Sequence, residues 1–332
     1  MHRHDFAAVT LCGYRRILDT AWRSKIGEKL FLKVDCVTLA RIADENRWRK
    51  KRYNNAISVL RRAFAFGYRN HPQQLNPALG LKCARMARKD RARPDPFRIQ
   101  DAEALIAQIH ADCGEAQGNY DEFRLFTGLR PSEQIALAVS DFHAGRGTLS
   151  VTKARVDGID KNTTKTREDR LFELCPRAML VLRRQLSLRD QLQRSGKIGH
   201  DHLFFMQHGG PIRDIEEPGR RWRETLARLA IRHRRPYCAR HSSVSWNLMI
   251  GKNPLWVAKQ HGHSVRTMLE IYAAWAEGAV ESDIETIRDS MGFSDAPTPH
   301  PVKNLAGERG ALARPLFSIW HWIWHQKRAA CT

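Results

Sequence analysis

The sequence predicts a mainly α chain with a small β-sheet (α+β), arranged as a helical front domain and a larger, mostly helical domain behind it. Three observations predict this. Apolar residues recur at helical intervals over most of the 332 residues, only a few short runs read as strands, and a cationic stretch closed by Pro94 and Pro96 separates two parts of unlike charge. With 42% hydrophobic residues the composition is ordinary for a globular chain, and the length allows two or three cored domains.

Charge narrows the function classes. A net charge of +21 and a pI near 10.2 mark a surface that condenses onto a polyanion, which makes nucleic acid the leading partner. Residues 1–95 hold 22 Lys and Arg against 8 Asp and Glu, a net of +14 that leaves +7 for the remainder. An anionic membrane surface could attract such a chain too, but no run approaches the roughly 18–20 apolar residues that span a bilayer, so no membrane partner is expected. The opening MHRHDF lacks the apolar core of a signal peptide, and a cytoplasmic location is expected. Seven scattered cysteines without a C-x-x-C pair indicate neither a disulfide framework nor a zinc finger, in keeping with a reducing compartment.

In chain order, 10–25 reads as a helix capped at Thr10, with Tyr14, Leu18 and Trp22 on one face. Further helices are predicted over 38–46 and 51–69, the latter carrying Ile57, Leu60, Phe64 and Phe66 among Arg52, Arg61, Arg62 and Arg69. Between them RWRKKR at 47–52 packs five cations around a tryptophan, a composition suited to backbone phosphates. Arg47, Arg49, Lys50, Lys51, Arg52, Arg61 and Arg62 are the candidate nucleic-acid-contacting cations. Six more cations in 82–95 form a basic linker, so the front domain is taken as 1–93 and the main domain as 94–295.

The main domain should hold helices over 100–113, 118–129, 177–194, 216–232, 240–250 and 254–261, with Pro131 opening a helix of its own. Strands are predicted at 148–153, 170–174 and 202–206, the first two separated by a polar turn carrying Lys161, Lys165 and Arg167. Ile284, Ile287 and Met291 give 281–293 a helical face. From 296 to 332 the chain turns rich in Pro and Trp, a tail whose role is left open.

Several motifs stand in order in the main domain. Thr127-Gly128-Leu129-Arg130-Pro131-Ser132-Glu133 is followed by Leu137; Lys165 precedes Arg170 and LFEL; Arg240-His241 precedes Gly262-His263-Ser264; and Tyr272 comes nine residues after His263. Together they resemble the tyrosine recombinase family, the phage integrases and their relatives, over roughly residues 10–292. The resemblance implies a helical core-binding (SAM-like) domain followed by a tyrosine-recombinase catalytic domain. The two would close on double-stranded DNA as a clamp.

The implied chemistry suits these side chains. Arg130 and Arg240 would hold the scissile phosphate through planar guanidinium forks, His263 would donate to it, Lys165 would protonate the departing 5′ oxygen, and Tyr272 would form a 3′-phosphotyrosyl link. The arginine field is expected to help the phenol lose its proton. No metal or other cofactor is required, and the link conserves the phosphodiester's energy, so no ATP is needed. A homo-tetramer around two duplexes is implied, with 281–293 docking on a neighbouring subunit. Met1 stands directly before the first core-binding helix, so an arm-binding domain is expected to be absent.

Two departures stand out. Tyr237 occupies the place of the family's first histidine, which puts the general base in doubt, and His261 replaces the usual leucine and is expected to be a partly exposed helix-end residue without a catalytic role. Glu133 is read as orienting its helix junction, Cys238 as packing, and His233, His241, His261 and His263 are not expected to form a metal cluster. A catalytically inactive DNA-binding prophage remnant is the alternative reading.

Overall fold

The computed structural model describes residues 8–27, 31–87, 94–161, 169–277 and 281–293. The chain divides after Arg93 into two compact units. Lys165, Arg167, the linker residues 88–93 and the tail 296–332 lie outside the described residues.

The first unit is helical. α1 (Ala8–Leu18) continues through a π-turn over Asp19–Arg23 into the short α2 (Ser24–Ile26), and α3 (Cys36–Glu45) and α4 (Lys50–Gly67) follow. Thr10 therefore lies inside α1 and caps nothing. α3 is capped instead by Asp35, whose side chain accepts from the Thr38 amide at 2.6 Å. The apolar faces meet in a core of Trp22, Leu39, Ile42, Ile57, Leu60 and Phe64.

The basic run 47–52 is not one turn. Arg47 adopts a left-handed φ of 43° that breaks the chain after α3, Trp48 packs edge-on to Trp22 at 5.9 Å, and Lys50, Lys51 and Arg52 already form the first turn of α4.

The second unit surrounds its main apolar core with helices. α5 (Ile99–Cys113), α6 (Glu115–Thr127), the single turn α7 (Pro131–Gln134), α8 (Pro176–Arg194), α9 (Glu216–Arg228) and α10 (Cys238–Met249) enclose Leu105, Phe123, Phe126, Leu182, Phe204 and Trp222. The sheet is antiparallel, in the order β1 (Phe142–His143), β2 (Thr148–Val151), β5 (Arg170–Glu173), with Leu149 opposite both Phe142 and Phe172.

Between β2 and β5 the sequence reading foresaw only a polar turn. In fact β3 (Ala154–Val156) and β4 (Ile159–Lys161) make a separate hairpin there, across Asp157 and Gly158 at φ 53° and 78°. Conversely, 202–206 is no strand. Its strand-like pairing is confined to isolated bridges at His202 and Phe205, while Leu203 and Phe204 drop into the core.

α11 (Pro254–His261), α12 (Val265–Glu277) and α13 (Glu281–Met291) complete the unit. α13 was expected to dock on a neighbouring subunit. Here it packs within its own unit against α5, α8 and α10, with Ile287 and Met291 buried in the main core, because that face is apolar at helical spacing and the core offers it a seat.

Candidate active site

The site is assembled from helix ends of the second unit. α6 closes at Gly128, whose φ of 59° is left-handed. A Cβ there would stand 2.7 Å from Ser243 Cβ and 2.9 Å from His261 Nε2, so both conformation and space require glycine. Just beyond the turn, Arg130 is the N-cap residue of α7. Its Nη1 donates to Glu133 Oε1 at 2.7 Å, and its Nη2 donates to the Gly262 carbonyl at 2.9 Å.

Glu133 is buried and binds a second arginine, accepting from Arg170 Nη2 at 2.6 Å. Burial alone would raise its carboxyl, but hydrogen bonds and charge from Arg170 and Arg130 outweigh burial and hold it below the usual carboxylate range. Glu133 also accepts from the main-chain amide of Arg130 at 3.1 Å, so it does orient the helix junction. Arg170 ties in α11 as well, donating through Nε to the Gln260 carbonyl at 2.9 Å.

Arg240, in the first turn of α10, is 1% exposed. Nη1 donates to the Gly128 carbonyl at 2.9 Å, Nη2 to the His261 carbonyl, and Nε to His263 Nε2 at 3.2 Å. Burial, with a smaller push from Arg130, brings its pKa down to about 10, so it stays cationic at neutral pH. Those bonds use three of the five N–H groups of a guanidinium and leave two for a ligand.

Because His263 Nε2 accepts from Arg240, its proton sits on Nδ1, a buried atom with no hydrogen-bond partner among the described residues. Burial first, then the charges of Arg240 and Arg130, push the ring down to about 3. At pH 7 it is a neutral donor.

Tyr272 lies on α12 and is 1% exposed, packed with Val244, Leu248, Val257, Ala258 and Met268. Its ring lies 5.9 Å from that of His263 at 22°, and its Oη stands 2.5 Å from His241 Nδ1. The arginine field was expected to ease loss of the phenolic proton. Arg240 does pull that way, but burial is the larger influence and raises the phenol above its ordinary value.

His261 also departs from expectation. It ends α11 as foreseen, yet is 1% exposed, because the last turn of α11 lies between β5 and α10. Its Nδ1 donates to the Val257 carbonyl at 3.0 Å and its Nε2 accepts from Ser243 Oγ at 3.1 Å. Burial, and then Arg240, hold it well below the usual imidazole range. Tyr237, in the family histidine's place, is 44% exposed at the start of α10 with its ring edge toward His241 at 5.5 Å and 78°.

The structure thus brings Arg130, Arg240, His263 and Tyr272 together, while Lys165 lies outside the described residues. Sequence reasoning missed the contact of His241 with the Tyr272 hydroxyl and the clasp of Arg170 on Glu133. The available signal for His241 was its place one residue after Arg240, about 100° round the same helix. In the first unit, Arg47, Arg49, Lys50, Lys51, Arg52 and Arg62 are exposed. Arg61 is not a surface cation of that kind, since its guanidinium donates to the carbonyls of Ala78, Leu79 and Leu81.

Two guanidinium forks, an imidazole with an unused N–H and a buried phenol stand together on a helical α+β scaffold, an arrangement able to hold an oxyanion beside a phenolic oxygen. A sequence model of the phage integrase family matches residues 97–278, and the chain belongs to that family. Prophage integrase IntR of Escherichia coli (strain K12) is 27% identical over 249 residues, covering 70% of this chain. The chain spans 59% of that relative's length.

Among solved structures, the Tn1549 transposon integrase in complex with transposon right end DNA superposes with a TM-score of 0.67 at 18% identity, over 87% of this chain and 95% of that one. A lambda integrase dimer bound to a COC′ core site superposes at 0.62 and 13% identity, over 79% and 90%. These likenesses establish the fold.

Proposed function

We propose that the chain is a site-specific recombinase that cuts and rejoins duplex DNA through a 3′-phosphotyrosyl intermediate on Tyr272. The observation that carries this reading is the convergence of Arg130, Arg240, His263 and Tyr272, drawn from the α6–α7 junction and from α10, the α11–α12 turn and α12. Family membership supports it, as do integrase neighbours solved on DNA.

Arg130 and Arg240 keep N–H groups for the non-bridging oxygens of a scissile phosphate, and their charge offsets what accumulates there in the transition state. His263, neutral at pH 7, adds its unused Nδ1–H. The Tyr272 Oη attacks phosphorus, the P–O5′ bond breaks, and the 5′ oxygen leaves with a proton from Lys165. A 5′ hydroxyl from another strand reverses the step. The exposed cations of the first unit hold the DNA backbone without reading sequence. The assembly proposed is a homo-tetramer on DNA, as lambda integrase forms on a Holliday junction.

The test is covalent capture. Nicked duplexes made from the gene's own flanking DNA are incubated with the protein without added metal and run on a denaturing gel. Wild type should yield a protein–DNA adduct and Tyr272→Phe none. A wild type that retards these duplexes on a native gel but forms no adduct on any of them would sink the enzymatic reading and leave a DNA-binding protein.

A further inference from the structure

A buried phenol cannot attack phosphorus until something takes its proton, and the family's usual candidate is absent here. At that place stands Tyr237, at the exposed start of α10, and a phenol is no proton acceptor at neutral pH. Several described titratable groups face the Tyr272 hydroxyl and the ring beside it. Arg240, Tyr237 and Cys238 come from the α10 end, His263 from the α11–α12 turn, and His241 from α10 itself. Burial pushes the Cys238 thiol up, which leaves it protonated at neutral pH. Arg240 is a cation with no lone pair to offer. The Nε2 of His263 already accepts from Arg240, and its other nitrogen carries the proton. His241 alone of these presents a nitrogen at the phenolic oxygen, Nδ1 at 2.5 Å.

We propose that His241 is the general base of this site, a catalytic residue that takes the Tyr272 proton on Nδ1 and so replaces the missing histidine at position 237. The proposal rests on the recombinase reading and names a member of the site that the motif pattern leaves unassigned. In the cleavage step the Oη–H bond breaks as Oη–P forms, the proton passes to Nδ1, P–O5′ breaks, and the 5′ oxygen takes a proton from Lys165. On rejoining, the 5′ hydroxyl gives its proton back to the neutral Lys165 amine as O5′–P forms, Oη–P breaks, and the His241 imidazolium returns its proton to Oη.

Two features of the surroundings favour that traffic. Burial and the adjacent Arg240 keep His241 below the ordinary imidazole value, so at pH 7 the ring is neutral, and the tautomer with its proton on Nε2 offers the Nδ1 lone pair to the phenol. The imidazolium formed on transfer would be disfavoured beside Arg240 in the empty site. It becomes tolerable only when a phosphate brings negative charge to Arg130 and Arg240, so the base works when substrate is in place.

The experiment follows single-turnover adduct formation on a nicked duplex that wild type cleaves. His241→Ala and His241→Gln should each slow the step by about 100-fold or more, the usual scale of a positioned base. Affinity for the duplex and the melting temperature should remain close to wild type. Glutamine keeps a hydrogen bond to Oη but takes no proton, so a glutamine variant near the wild-type rate would reduce His241 to a positioning role and overturn the proposal.

Imidazole in the buffer should restore His241→Ala by about tenfold or more, and Tyr237→Phe should cleave within about threefold of wild type. A check on wild type alone covers variants that misfold. With a neutral imidazole as acceptor, the rate is level from about pH 9 down past about 6.5 and falls only at lower pH, where His241 with its lowered value takes up a proton. A rate that climbs tenfold per pH unit from 6.5 to 9 signals free phenolate instead, and overturns the proposal. No adduct from wild type on any duplex removes the recombinase reading and the proposal with it, whereas wild-type adduct with an undiminished His241→Ala removes the proposal alone.

Discussion

Glu133 shows how far the site depends on a residue that holds its arginines in place. One buried carboxylate sits between Arg130 and Arg170, and Arg130 in turn reaches the Gly262 carbonyl, so the motif around residue 130 and the turn before His263 are one hydrogen-bonded object. Removing the charge leaves two guanidinium groups facing each other in a poorly solvated place. Glu133→Gln should lower unfolding free energy by about 3 kcal/mol, the scale for breaking a buried ion pair, read from a urea titration. Gly128→Ala should destabilise by at least about 1 kcal/mol in the same assay, since φ is 59° and the new methyl meets Ser243.

The sequence displayed Arg130, Arg240, His263 and Tyr272 plainly, because motif order survives whatever surrounds it. It did not display that His261 is buried or that His241 meets Tyr272. Both depend on how α11 and α12 pack on α10, and tertiary packing leaves no trace at a single position.

Among elements, Glu122 does for the helices what Glu133 does for the site. It projects from α6 and accepts from Arg177 and Arg184 of α8 and from His110 of α5 at 3.2 Å, joining three helices at one carboxylate. Burial opposes its ionisation, but these donors prevail and bring it down to about 2 from 4.5. A carboxyl that binds its proton less readily folded than unfolded contributes stability above the unfolded value, and that contribution drains as pH falls from about 4.5 towards 2. Acid titration of wild type should therefore lose stability across that window, and Glu122→Gln should be less stable at pH 7 and flatter across it, as followed by circular dichroism.

The helices foreseen were legible because they keep their apolar period, α11 to the residue, whereas α12, which carries Tyr272, was not foreseen. The β3–β4 hairpin was overlooked although its signal was present, since Asp157-Gly158 at φ 53° and 78° is the dipeptide that two-residue hairpins favour. The supposed strand at 202–206 misled for the opposite reason. Its apolar run serves burial in the core, and it finds no neighbouring strand to pair with.

For the whole molecule, charge and fold make separable predictions. The first unit carries exposed Arg49, Lys50, Lys51 and Arg52 at the start of α4. Changing these four to Gln should lower the salt dependence of DNA binding by about three to four units of log K against log salt, if each meets a phosphate, without altering the unfolding midpoint of the second unit. Measuring retardation at several salt concentrations checks this, and an unchanged slope would remove these residues from the DNA contact.

Arg240 carries a further consequence. Its guanidinium pins the carbonyls that end α6 and α11, and losing it strands two buried acceptors at about 1–3 kcal/mol each, against a total stability of about 5–15 kcal/mol. The Tyr272 hydroxyl holds far less, because phenylalanine keeps the ring's packing and gives up about 1 kcal/mol of hydrogen bonding. Random substitution would therefore have unequal effects at the two positions. Loss of the arginine tends to remove the folded protein altogether, whereas loss of only the phenolic oxygen leaves a folded protein without that hydroxyl.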